Sequence, residues 1–285
     1  MNRGGRAETQ PRSIGPGFLA SILVDKTSNG DRCYACTMQI DVAFLPTDLA
    51  TPETSLCIVI DALRASSSIA TVFGRGARTV AVAGTIEDAR LLHQDLPGSL
   101  LCGESGGLPP EGFDFGNSPI EFEAADLQGQ TLVFATSNGT RALAALDTAP
   151  AVFVGSLLNR AACAEAALTA LTNLNGATTL TVVCSGTEYG TTFSLEDTVV
   201  AGAFVTRFLD IAGEALCEQT DRAAAARTLW RTYASNPKQA FLDSKHGRYL
   251  AEIGMAADLD ACARIDRYSV APRLRVTVDG RLLLQ

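Results

Sequence analysis

Short apolar runs recur through most of the chain, at residues 38–44, 56–60, 79–83, 100–103, 131–135, 151–155 and 179–184. Apolar runs this brief, bounded by turn residues, read as strands and not as buried helices. The longer stretches between them carry helix-end chemistry. Thr85 with Asp88, and Ser118 with Pro119 and Glu121, have cap spacing. Asn159 is placed to cap an alanine-rich helix that Asn175-Gly176 would close. Strand–helix alternation of this kind predicts a mainly parallel sheet covered on both faces. The expected fold class is therefore α/β, a three-layer α/β/α arrangement over residues 38–285, with two related lobes meeting near residues 145–150. Near the end, Asp279-Gly280 between two apolar runs predicts a β-hairpin. With 285 residues, 47% hydrophobic and 19% charged, the chain has apolar surface enough for a substantial core.

Residues 1–37 are rich in Gly, Ser, Thr, Arg and Pro and lack periodicity, which predicts a mobile extension; Met38 is a candidate alternative start. Their Cys33-x-x-Cys36 is a single pair with no histidine beside it, a weak metal or redox signal. Cys57, Cys102 and Cys184 fall in apolar runs, where a free thiol behaves as a small hydrophobe. This cysteine usage, with no segment of membrane-spanning length, points to a reducing cytoplasm. A net charge of −8 without any run of Lys or Arg argues against a nucleic-acid surface. An anionic ligand must then be met by a local site.

In open parallel sheets ligands gather beyond the carboxyl ends of the strands, so the residues just after each apolar run matter most. After Ile60 come Asp61, Arg64, Ser66, Ser67 and Ser68; after Ala135 come Asn138, Gly139, Thr140 and Arg141. Both segments put hydroxyls and one arginine at a helix start, where the macrodipole disfavours a cation. An anion held between the N–H groups and the guanidinium resolves that conflict; ordinary capping with a solvent-facing arginine is the rival reading. Asp61, closing an apolar strand, reads as a metal ligand or catalytic carboxylate ahead of a helix cap, and Glu104, among glycines that let a ligand approach, reads equally as a ligand-facing group and as a plain loop carboxylate. Glu196 and Asp197 open a helix after Ser194, which suits either a cap or a hard-cation site. No P-loop and no nucleophile elbow is present, and Leu63 stands where a D-x-D phosphatase needs its second aspartate. His93 and His246 are the only histidines, and neither lies in a recognisable nucleophile pattern. Arginines, carboxylates and hydroxyls together suit phosphoryl transfer, which rests on positioning and charge stabilisation.

These segments also resemble a known family. Residues 60–68 (IDALRASSS), 103–107 (GESGG), 112–119 (GFDFGNSP), 136–143 (TSNGTRAL), 155–159 (GSLLN), 194–197 (SLED), 244–250 (SKHGRYL) and 258–262 (DLDAC) resemble, in order, the motifs of the 2-phosphosulfolactate phosphatases. The resemblance implies an α/β/α-layered, magnesium-dependent homodimer that releases phosphate from 2-phospho-3-sulfolactate, a step toward coenzyme M in methanogens. It implies substrate contacts for Asn117, Ser118 and Asn159 beside the serines of residues 66–68 and the 138–140 turn. Asp61, Glu104, Glu196 and Asp197 become the expected magnesium ligands, and Asp61, Arg64, Glu104 and Arg141 the expected catalytic set. One departure stands out: Ser105 occupies a position where the family usually carries arginine.

Overall fold

The computed structural model describes residues 38–49, 51–174 and 179–285. The Cys33–Cys36 pair, the predicted extension and the Asn175-Gly176 helix stop lie outside the described residues. Each of the seven apolar runs forms a strand: β1 (Met38–Ala43), β2 (Ser55–Ile60), β3 (Thr79–Ala83), β4 (Leu100–Gly103), β5 (Thr131–Ala135), β6 (Ala151–Gly155) and β7 (Thr179–Cys184). With β8 (Cys217–Gln219) they build not one sheet but two. The first has the order β6-β2-β7-β1-β8, and every neighbouring pair in it is parallel. In the second, β4, β5 and β3 are parallel, and the hairpin of β9 (Leu274–Val276) and β10 (Leu282–Leu284) adds antiparallel to β3.

Strand side chains alternate between faces, and here both faces are apolar. In β2, Leu56, Ile58 and Ile60 enter one core with Ile40 and Val42 of β1. Helices α5 (Arg160–Thr172), α6 (Leu195–Ala212) and α7 (Asp221–Tyr233) cover that core. Cys57 and Val59 face a second core shared with Val80, Leu132 and Phe134 of the other sheet. Ile69 and Val72 of α1 (Ala65–Gly74) and Leu143 of α4 (Gly139–Ala144) pack into it as well. A third, smaller core joins Ala81, Leu101 and Val133 to Ala89 of α2 (Ile86–Asp95). The first sheet thus has helices on both faces, a three-layer α/β/α arrangement, and the second sheet stacks beyond α1. Each sheet draws strands from both sides of residues 145–150, so a lobe boundary there does not separate them.

Two of the expected caps form. Thr85 Oγ1 accepts from the Asp88 N–H at 3.0 Å, and Ser194 Oγ accepts from the Asp197 N–H at 3.2 Å. Two others do not. The Ser118 hydroxyl donates to Asp258 at 2.5 Å and leaves α3 (Pro119–Ala124) uncapped by its side chain. The Asn159 amide donates to the Val154 and Val270 carbonyls, each at 3.1 Å, and ties β6 to the C-terminal segment. Sequence spacing finds a cap position but cannot see a tertiary partner that outcompetes it.

Candidate active site

The loops after β2, β4, β5 and β7 meet beyond the strand ends and are closed over by helices of the C-terminal third. A cavity of about 90 Å³ is lined by Asp61, Arg64, Glu104, Asn117, Asn138 and His246, among others. It shares Glu104 and Ser137 with a neighbouring cavity of about 160 Å³ that holds Ser105, Arg141 and Tyr189. A wider opening lined by Lys245, His246, Tyr249 and Tyr189 lies against both.

Asp61 is the buried centre of this arrangement. Its Oδ1 accepts from the Ala65 N–H at 3.3 Å. A Cβ at Gly139 would stand 2.8 Å from Oδ2 and 2.9 Å from the Ala65 methyl, so only glycine lets the loop after β5 approach it. Burial pushes the Asp61 carboxyl up to about 7, and the nearby Glu104 and Glu196 charges add to the shift. Glu104 accepts from two backbone N–H groups, Ser137 to Oε1 and Gly107 to Oε2, each at 2.8 Å. That carboxylate therefore joins the loops after β4 and β5 while facing both cavities. Glu196 is buried beside them at the start of α6.

The two arginines differ. Arg64 is buried: Nη1 donates to Asp258 at 2.6 Å and Nη2 to the Gly107 carbonyl at 2.5 Å. Asp258 lies in α10 (Ala256–Cys262), so an ion pair across the fold holds Arg64 in the cavity wall and offsets its charge. Arg141 is exposed, lies over the Tyr189 ring at 5.3 Å, and makes no ion pair among the described residues. The guanidinium groups thus line adjoining cavities, and of the two only that of Arg141 lacks a carboxylate partner among the described residues.

Several residues expected at the substrate have other work. The Ser66, Ser67 and Ser68 hydroxyls donate to the carbonyls of Asp61, Ala62 and Asn117 at 2.8, 2.9 and 2.9 Å. Helix N-termini leave such serines free to bond locally, and here they brace the loop after β2. Thr140 and Thr136 exchange hydrogen bonds within their own turn. Asn159 sits away from the cavities in the bonds already described. Asp197 accepts from the Ala62 N–H at 2.8 Å, and from the Gly186 N–H and Ser185 hydroxyl at 3.2 and 3.3 Å. Its carboxylate joins the loops after β2 and β7, with both oxygens engaged by donors of the protein. Burial, with Glu196 and Asp61 nearby, holds its pKa well above the usual range.

Other expected residues do face the cavity. Asn138 lines it and accepts from the Tyr189 N–H at 2.9 Å. Asn117 lines it too, and its buried Oδ1 has no hydrogen-bond donor. The sequence reading missed His246 and Tyr249, three apart on α9 (Lys245–Glu252) and stacked at 6.1 Å between ring centroids. Burial lowers the His246 pKa despite the opposing Glu196 and Glu104 charges. The available signal was one of two histidines with an aromatic on the same helix face. Among the described residues no group of three His, Cys, Asp or Glu side chains is gathered as a preformed metal site. Beside His246, the cavity lining offers oxygen donors: Asp61, Glu104 and the orphaned Asn117 Oδ1, with Glu196 behind them. Mutually repelling carboxylates and an unpartnered amide oxygen suit a hard cation such as magnesium.

Comparison with known proteins gives the family. The family model for 2-phosphosulpholactate phosphatase matches residues 43–277. A probable 2-phosphosulfolactate phosphatase of Carboxydothermus hydrogenoformans is 35% identical over 87% of this chain and 98% of its own. Proteins of the same description from Caldicellulosiruptor saccharolyticus and Parasynechococcus marenigrum are 36% and 35% identical, over 74% and 82% of this chain and 86% and 96% of theirs.

Proposed function

The chain belongs to the 2-phosphosulpholactate phosphatase family, and we propose that it hydrolyses 2-phospho-3-sulfolactate to sulfolactate and inorganic phosphate in a magnesium-dependent reaction. The observation that carries this reading is the cluster of Asp61, Glu104 and Glu196, in which burial first and the neighbouring carboxylates second push Asp61 up to about 7. Such a cluster would repel a phosphate dianion, and Arg64 cannot offset it because Asp258 already pairs with that guanidinium. Asp61, Glu104 and Asn117 Oδ1 would hold the magnesium ion, with the Glu196 charge behind them. When bound, that ion would neutralise the phosphate oxygens and polarise the phosphorus centre.

The chain's own groups do the rest. Arg64 has five N–H donors and uses two in the protein. The remainder, held rigidly by Asp258, orient the phosphate oxygens. His246 has a lowered pKa and is therefore neutral at pH 7, the form that accepts a proton from an attacking water. The Tyr189 loop and the α9 aromatics narrow access to bulk solvent. We place the enzyme in the cytoplasm as a homodimer, following the cysteine usage and the family resemblance; no described helix is long and apolar enough to cross a membrane.

Phosphate release from synthetic 2-phospho-3-sulfolactate by the purified chain tests the proposal. Turnover should appear with magnesium, vanish with a chelator and return when the ion is restored. If no divalent cation supports release, the cavities form an anion-binding module and the enzymatic reading falls.

A further inference from the structure

The two adjoining cavities differ in chemistry. The smaller holds Asp61, Arg64, Asn117 and His246. The larger holds Arg141 and Ser105, with Glu104 and Ser137 as the shared wall and Tyr189 at its edge. A reacting phosphate belongs with the carboxylates and the histidine. The larger cavity offers recognition without chemistry. Its cation, Arg141, is exposed on the short helix α4 and pairs with no carboxylate among the described residues.

Its position is still defined. The guanidinium rests on the Tyr189 face at 5.3 Å, and the Tyr189 N–H is fixed by Asn138 Oδ1 at 2.9 Å. Tyr189 adopts a left-handed backbone with φ of 62°, uncommon for a bulky residue. Asn138 also lines the smaller cavity, so one side chain joins the arginine platform to the reacting centre. The Ser105 and Ser137 hydroxyls have no hydrogen-bond partner among the described residues and face the same space.

Resting on the phosphatase reading above, we propose that the Arg141 cavity is a second anionic subsite, which takes the carboxylate or sulfonate of the substrate while the phosphate occupies the Asp61 cavity. Glu104, which lines both cavities, forms the wall between the two ends of the substrate. With Arg141 as its unpaired cation among the described residues, the subsite takes one acid group through the arginine fork. Ser105 and Ser137 add neutral hydrogen bonds. Arg141 is thereby a specificity-determining residue, selecting small phosphorylated acids over simple phosphate esters.

The test compares wild type, Arg141→Ala and Arg141→Lys on 2-phospho-3-sulfolactate, 2-phospholactate and phenyl phosphate with magnesium, with thermal melts as the folding control. Loss of a charge-assisted contact should raise KM for an acid-bearing substrate by about tenfold or more. The preference of wild type for acid-bearing substrates over phenyl phosphate should collapse in Arg141→Ala. Arg141→Lys should recover part of it, since charge returns without the fork. A larger loss on phosphosulfolactate than on phospholactate assigns the sulfonate to Arg141; equal losses assign the carboxylate. If the three substrates lose equally, or none changes, the subsite is overturned while the phosphatase survives. A wild-type chain inactive on all three sinks the phosphatase reading, and the subsite with it.

Discussion

Asp61 shows how a single buried group couples stability to function. Its carboxyl titrates at about 7 in the fold against an ordinary value of 3.8. The folded chain therefore binds the proton more tightly than the unfolded one. The stability that this proton confers is fully present below the ordinary value and is lost as pH rises through about 7. Above that point the fold carries a buried charge. Asp61→Asn, assayed without metal, should melt higher than wild type near about pH 8, and the difference should close toward about pH 4. The same variant should lose turnover. A melting difference independent of pH would show that Asp61 is not the raised group. The polar residues after the strands were legible in the sequence as a set, but not in their roles. Asp61, Glu104 and Arg141 face the cavities, whereas Ser66, Ser67, Ser68, Asn159 and Asp197 carry the same functional groups and spend them on backbone. A hydroxyl or carboxylate in a sequence does not disclose which donor or acceptor will reach it first.

Among the elements, the β4 end explains why a glycine precedes Glu104. Gly103 has φ of 148°, and a Cβ there would lie 2.0 Å from the Ala135 carbonyl oxygen. That carbonyl accepts from the Glu104 N–H at 3.1 Å, so the close approach of β4 to β5 aims the carboxylate at the cavities. Gly103→Ala should cost about 1–3 kcal/mol in urea unfolding and lower activity by displacing Glu104. An unchanged midpoint would mean the strand pair tolerates the added methyl group. Strand positions were readable because their apolar runs match buried parallel strands. Pairing partners were not. Leu132 and Leu56 are equally apolar, yet they belong to different sheets.

Across the whole molecule, the cavity depends on residues far apart in sequence. Arg64 follows β2, and Asp258 comes from α10, yet both side chains are only 2–3% exposed and meet at 2.6 Å. Ser118 donates to the other Asp258 oxygen at 2.5 Å, so three segments lock around one carboxylate. Breaking a buried pair from one side leaves the other charge uncompensated, and Asp258→Asn should destabilise the fold by about 3–5 kcal/mol. Urea unfolding reads this directly; a midpoint equal to wild type would show that Arg64 reaches water or another acceptor. Local pattern by itself determined the strands, the α/β class, the hairpin and the turns from which the ligand-facing residues come, because hydrophobic period and turn chemistry act between near neighbours. Only the tertiary structure decided that there are two sheets, that Arg64 is neutralised while Arg141 is free, and that His246 joins Asp61. Those outcomes depend on which distant groups share a desolvated space, where burial and charge act through distance and not along the chain.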